Sequence, residues 1–422
     1  MTETRKKMHY SWVIVIGAAM VMFATQAGVA NTIGIYFSTL NQERGFSLAS
    51  LGLYYTFQSG VMTVMQPVVR KLYYKYDARL VGFGSIFLMS VGYMLFAAWP
   101  AVWGWWISGV IIGVGVSFTA YLMAPLLMNN WFHTKYSTAV GVACCAQGLG
   151  GFIWSLLLGQ LLPTAGYKAC YLIIGAASLV IGGAGTLLFR RDPAEKGLFP
   201  YGINSQEELE LSRKANSPLN LPGVGLKDAL KSGAFWMMLV ALILIWFGCN
   251  MQTQMTNLAY SIGFSITNAT TVSALVFLGN IPGRFLIGYL TDKWGVRTGF
   301  SYGIICGIVA FVLVLASGVS PAFVYIGAFL FGNFFSLITV GSALIIPRVC
   351  GRKDLGQIQS YVASVSTVIG AIASTIFGYI YDMSGSYATL IKLGIAAFTV
   401  ALVLVWIIWG VTRNKPWNKI TN

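Results

Sequence analysis

The chain has 422 residues, a net charge of +15, 57% hydrophobic residues and only 9% charged ones. Soluble domains usually carry about 25% charged residues, so this chain cannot clothe a water-facing surface and needs lipid as its solvent. The positive charges fall in short clusters between long apolar runs, not along one solvated face, which argues against a nucleic-acid partner. Cys144, Cys145, Cys170, Cys249, Cys306 and Cys350 form no CxxC pair and no metal-ligand spacing, and read as small apolar packing residues.

A bilayer crossing takes about 20 mostly apolar residues. The first segment, MTETRKKMHYSW, runs into an apolar stretch too long for a signal-peptide core and without a small-residue cleavage site. It is therefore expected to open a retained membrane helix. Spans are expected at 10–38, 48–72, 80–98, 101–128, 138–162, 168–189, 233–260, 267–290, 298–317, 321–346, 356–381 and 387–411. The polar segment 190–232, with RRDPAEKG, SQEELELSRK, Pro218 and Pro222, divides them six and six. Within it, 205–214 has helical character, as a solvated linker or as a short surface helix.

Arg5, Lys6, Lys7, Arg70, Lys71, Lys75, Arg79, Lys135, the linker, Lys293, Arg297, Arg348, Arg352, Lys353, Arg413, Lys415 and Lys419 fall on one side of the membrane, against Arg44, Lys168 and Lys392 on the other. The excess of Lys and Arg marks the cytoplasmic side. Both termini and the linker are expected there, as the even span number also requires. The expected domains are a six-helix bundle over 1–189, a cytoplasmic linker over 190–232 and a second six-helix bundle over 233–422.

After span 8 the chain reads GRFLIGYLTDKWGVRTG, from Gly283 to Gly299. Gly288 would let two helices approach closely, and Asp292 would cap a neighbouring helix N-terminus. Gly295 would allow a tight turn, and Arg297 would pair with a carboxylate. This run, in a six–linker–six layout, resembles the signature loop of the major facilitator superfamily. The resemblance implies an all-α integral membrane fold, twelve transmembrane helices in two six-helix bundles, and a transporter. The equivalent loop after span 2, RKLYYKYDARLV, keeps Arg79 but has Tyr74 and Asp77 where the family has Asp and Gly. Whether that loop gates normally stays open. NNWFHTKYSTAVGVACCAQGLGG from Asn129, RRDPAEKGLFPYG, and FGYIYDMSGSY from Phe377 are similar to segments of the monocarboxylate and oxalate:formate branch.

A charge inside a membrane span is expensive and by default marks function. Arg284 is the clear case, roughly 12 Å of helix rise before Asp292. The resemblance implies that it binds a substrate carboxylate, and the planar guanidinium fork suits that partner. Asn280, one turn earlier, stands where proton-coupled carriers of that branch have Asp, and cannot titrate. Ala363 falls where oxalate carriers have Lys. One cation suits a monoanion better than a dianion.

Polar residues at helical spacing suggest cavity-facing sides. Trp246, Asn250, Gln254 and Asn257 share one face of span 7; Gln26 and Asn31 lie in span 1, Tyr55 and Gln58 in span 2, Tyr121 in span 4, Gln147 in span 5 and Ser364 in span 11. Each alone also fits helix–helix hydrogen bonding. As a set they fit a central site near the midplane.

The expected function is secondary active or facilitative transport of an organic monocarboxylate across the cytoplasmic (inner) membrane by alternating access, as a multi-pass monomer. Alternatives are an efflux carrier for amphipathic organic anions or drugs, and a non-transporting membrane sensor. The expected partners are the small organic anion and the lipid bilayer; proton symport or counter-anion antiport stays open. No cofactor, metal or enzyme constellation is expected: no GxxxxGK[ST] occurs, and His9 and His133 are isolated.

Overall fold

The computed structural model describes residues 9–119, 122–203, 205–208, 223–351, 353–413, 415 and 417. Lipid offers backbone N–H and C=O groups no partners, so apolar runs of this length satisfy them internally as helices. The regular structure of the described residues is helical, with two isolated β-bridges. Ten stretches are long and apolar enough to cross a membrane. One of them is two helices joined at Gly166, and a more polar 28-residue helix completes twelve.

In chain order the spans are α1 (Tyr10–Arg44), α2 (Leu48–Lys75), α3 (Ala78–Leu95), α4 (Val102–Trp131), α5 and α6 (within Tyr136–Leu187), α7 (Gly233–Ser261), α8 (Ile266–Trp294), α9 (Val296–Gly318), α10 (Ala322–Cys350), α11 (Leu355–Ser384) and α12 (Ala388–Thr412). They follow the expected spans, with ends displaced by a few residues. The break between α5 and α6 lies at Gly166, whose φ of 74° and ψ of 164° only glycine adopts readily. The candidate surface helix at 205–214 begins with a helical turn at 206–208, and its remainder lies outside the described residues.

Two helices depart from a uniform α-helix. α1 winds into a π-helix over Met22–Ala30 and a 3₁₀ turn over Ile33–Tyr36 before resuming at Phe37. α7 tightens into 3₁₀ over Asn250–Gln254.

Contacts divide the chain into two compact units: residues 1–31, 61–151 and 168–212, and residues 32–60, 152–167 and 213–422. The core of the first gathers Ile14, Met22, Phe118, Leu127, Trp131 and Phe189. Its motif tryptophan is an anchor: the Trp131 indole donates to the Arg190 carbonyl at 2.8 Å, and the Trp131 carbonyl accepts from Ser11 Oγ and from the Tyr201 amide. The linker's first residues are thereby bound to the foot of α4. The core of the second is aromatic, with Phe311 stacked on Phe331 and Phe398, and Phe334 against Phe398 at 4.2 Å.

Candidate functional site

In the second unit, α8 crosses α10 almost backbone to backbone. A side-chain carbon at Gly283 would lie 2.6 Å from the Cα of Asn333, and one at Gly279 would strike the Phe329 carbonyl. This contact fixes the rotation of α8. Asn280 and Arg284 stand beside it, one turn apart. Asn280 is 2% exposed, and its Nδ2 makes no hydrogen bond to another described residue. Arg284 is half-buried with its Nε inside, roughly 15 Å of helix rise before the end of α8. Pro282, between them, removes the N–H that would bond the Leu278 carbonyl. Asn333 is a helix–helix tie: its Oδ1 accepts from the Tyr302 hydroxyl at 2.9 Å and its Nδ2 donates to Phe329 O at 3.0 Å.

The single polar face expected for span 7 is interrupted. The 3₁₀ segment has three residues per turn and not 3.6, so the register of Trp246 and Asn250 is not continued by Gln254 and Asn257. Gln254 is fully buried, and its Oε1 accepts from the Tyr387 hydroxyl at 3.1 Å and from Asn257 Nδ2 at 3.0 Å. Asn250 donates to the Trp246 carbonyl at 2.8 Å and lies against Gly370 of α11, where a side-chain carbon would stand 3.0 Å from its amide. On α11, Ser364 is exposed and bonds back to the Ser360 carbonyl, and Ala363 beside it is exposed as well. On α2, Gln58 is buried, and Tyr55 meets Tyr54 and Phe37 edge-on.

In the first unit, the backbone amide of Asn31 bonds the Gln26 carbonyl, the i→i−5 contact that defines the π-helix. The Gln26 side chain donates to Thr119 Oγ1 at 3.3 Å. Gln147 is half-buried on α5. Tyr121 lies outside the described residues. Apolar hydropathy gave no sign of the π-helix, a rare winding that is frequent at functional sites.

Within the second unit, α1, α2 and α5 are also stitched to later helices. Asp382, at the end of α11, accepts from the Ala49 amide at 3.0 Å and so caps the first turn of α2. Thr56 bonds Thr375 at 3.1 Å, Thr267 donates to the Gly159 carbonyl at 2.9 Å, and Gln42 donates to the Tyr260 hydroxyl at 2.7 Å. At Gly378 a side-chain carbon would lie 2.6 Å from the Ala49 amide nitrogen.

The loop between α8 and α9 corrects three expectations. Gly288 has open space where a Cβ would stand; the close helix approach is made five residues earlier by Gly283. Asp292 is exposed, and no side chain caps α9, whose N-cap is Gly295. Arg297 lies over the rings of Trp406 (4.6 Å) and Trp409 (5.7 Å), so aromatic faces take the place expected of a carboxylate. Gly295 does make the turn, at φ 88°. In the degenerate first loop, Asp77 caps α3 through the Arg79 amide at 2.8 Å, while Arg79 Nε donates to the Phe189 carbonyl.

In a helical membrane protein an arginine inside a span marks a functional site, and here Asn280 stands one turn from Arg284 on the same helix. The description Major Facilitator Superfamily matches residues 14–258 and 251–421, and the chain belongs to that family. It is similar to "Probable transporter MCH2" of Saccharomyces cerevisiae, 24% identical over 95% of this chain and 82% of that one. It is also similar to "Monocarboxylate transporter 12-B" of Danio rerio, 22% identical over 98% of this chain and 90% of the relative. In fold it matches the crystal structure of nucleoside transporter NupG, with a TM-score of 0.69 at 14% identity over 97% of this chain and 100% of that one. The protein is a multi-pass membrane transporter and not an enzyme.

Proposed function

We propose that the chain carries an organic monocarboxylate across the cytoplasmic membrane by alternating access, with Arg284 receiving the carboxylate. The carrying observation is Arg284 itself, a permanent charge placed inside a membrane-spanning helix with its Nε buried. A fixed cation in a low-dielectric interior is costly by itself and attracts an anion strongly, while the guanidinium fork meets a carboxylate bidentately. Asn280, one turn away with a buried Nδ2 to offer, supplies a neutral donor beside it. The name of the Danio rerio relative supports the same substrate class.

The functional division proposed is 1–189 against 233–422, joined by the 190–232 linker, with both termini and the linker in the cytoplasm. Gln26, Asn31, Tyr55, Gln58, Tyr121, Gln147, Trp246, Asn250 and Ser364 complete the proposed lining. Gln254 belongs to the same proposed lining: its Oε1 is taken by Tyr387 and Asn257, and its buried Nε2 makes no hydrogen bond to another described residue. Gly288, Asp292, Gly295 and Arg297 form the gating loop. The open space at Gly288 and the exposed Asp292 leave that loop ready to take a partner in another state of the cycle.

The test is uptake into proteoliposomes of labelled carboxylates, each paired with its neutral amide. Saturable uptake of at least one monocarboxylate, competed by other monocarboxylates and not by amides or dicarboxylates, is the expected result. Uptake competed equally by the amides would reject the carboxylate as the recognised group.

A further inference from the structure

The seam between α11 and the first turns of α2 has no part in the carboxylate site. Its close contacts are glycine against backbone, in both directions. A side-chain carbon at Gly378 of α11 would lie 2.6 Å from the Ala49 nitrogen, and one at Gly52 of α2 would lie 2.9 Å from the Ser374 carbonyl oxygen and 3.0 Å from the Thr375 Cα. One turn further into α2, Thr56 and Thr375 join their hydroxyls at 3.1 Å. Small residues let helix backbones approach closely in lipid. These contacts interlock no long side chain, so the seam can part at low cost, and a single polar bond across it carries weight.

That bond is made by Asp382, whose Oδ2 accepts from the Ala49 amide at 3.0 Å. The start of α2 serves its other amides locally: Ser50 bonds Ser47 Oγ, and Leu51 bonds the Ser47 carbonyl. Only the Ala49 amide is served from α11, 333 residues away in the chain. A carboxylate at a helix N-terminus is favoured by the helix dipole, and Asp382 makes no ion pair among the described residues. When α2 and α11 part, the Ala49 bond breaks and the Ser47 cap stays, so the bond stabilises the closed seam alone. Both helices carry their basic residues at the opposite end, Arg70, Lys71 and Lys75 on α2 and Lys353 before α11, which puts the seam toward the outer face of the membrane.

We propose that Asp382 is a positioning residue of the transport cycle. Its bond to Ala49 holds the outer end of this seam shut and so sets how often the carrier opens to the outside. The proposal rests on the alternating-access reading above. A substrate arriving from outside meets only the open fraction, and its apparent affinity scales with that fraction. An N-cap lost to alanine is worth about a fivefold change in such an equilibrium.

Cysteine labelling in intact cells tests this, with the full chain carrying Thr375→Cys after its native cysteines are replaced and a charged, membrane-impermeant methanethiosulfonate added outside. Asp382→Ala should raise the labelling rate about fivefold. Asp382→Asn keeps an acceptor oxygen and should stay within about twofold of the native residue. In a second chain that keeps only Cys249, buried in the core of the second unit, Asp382→Ala should leave labelling unchanged. Equal acceleration at Cys249 would show general loosening and overturn the proposal. So would an unchanged rate at Thr375→Cys, acceleration by Asp382→Asn equal to that by Asp382→Ala, or acceleration seen only after the membrane is opened. The response to Asp382→Ala should persist in Arg284→Gln, because the latch works without substrate. Failure of the latch would therefore leave the role of Arg284 standing, and failure of that role would leave the latch.

Discussion

Arg284 and Asn280 sit one helical turn apart, one permanently charged and the other unable to titrate. That pairing leads to a direct expectation. In Asn280→Asp a carboxylate forms beside the guanidinium as pH rises, and the net charge offered to the substrate falls from +1 to zero. Monocarboxylate uptake by the variant should drop with rising pH, by at most about tenfold per pH unit for one proton. The native protein should show no such fall from this position. Uptake by the variant that follows the native pH profile would place Asn280 away from the substrate. At this scale the sequence was legible where physics isolates a residue: a charge in lipid stands out by its cost, and Arg284 needed no structure to be noticed. The roles of Gly288 and Arg297 were not legible. Spacing alone does not say which of two glycines five residues apart meets a neighbour, nor that tryptophans 109 and 112 residues later would cover Arg297.

The helices were found by apolar run length, which measures whether a segment crosses and is blind to how it winds. The π-helix over Met22–Ala30 and the 3₁₀ turn over Asn250–Gln254 were therefore invisible. So the polar stripe of span 7 was drawn on a straight helix that does not exist. Gln26→Leu removes the bond to Thr119 and should lower stability by about 0.6–1.5 kcal/mol, read as a fall in thermal midpoint in detergent. Gly166→Ala forces a side chain onto a backbone region that is almost exclusive to glycine and should cost about 1–3 kcal/mol. An unchanged midpoint would show that the α5–α6 corner relaxes freely. Gly378→Val places methyl groups against the Ala49 amide and should cost about 1–3 kcal/mol through overpacking. Asp382→Ala, which removes the α2 cap, should cost about 1 kcal/mol in the same assay.

Over the whole chain, composition decided the solvent and the run lengths decided the number of crossings, so the fold was nearly complete in the sequence. Direction and substrate need more than burial. The Lys and Arg asymmetry predicts that single cysteines at exposed Lys71 and Lys227 react with a membrane-impermeant maleimide only after the membrane is opened, in a chain whose native cysteines have been replaced. A cysteine at exposed Glu43 should react in intact cells. The central claim concerns one guanidinium. Counterflow of a labelled monocarboxylate in proteoliposomes, compared between the native chain and Arg284→Gln, measures it most directly. A fall in exchange of 100-fold or more, with native helical content retained, is the predicted outcome, in line with the several kcal/mol at stake when one partner of a buried charge pair is removed. Exchange at the native rate and affinity in Arg284→Gln would contradict it.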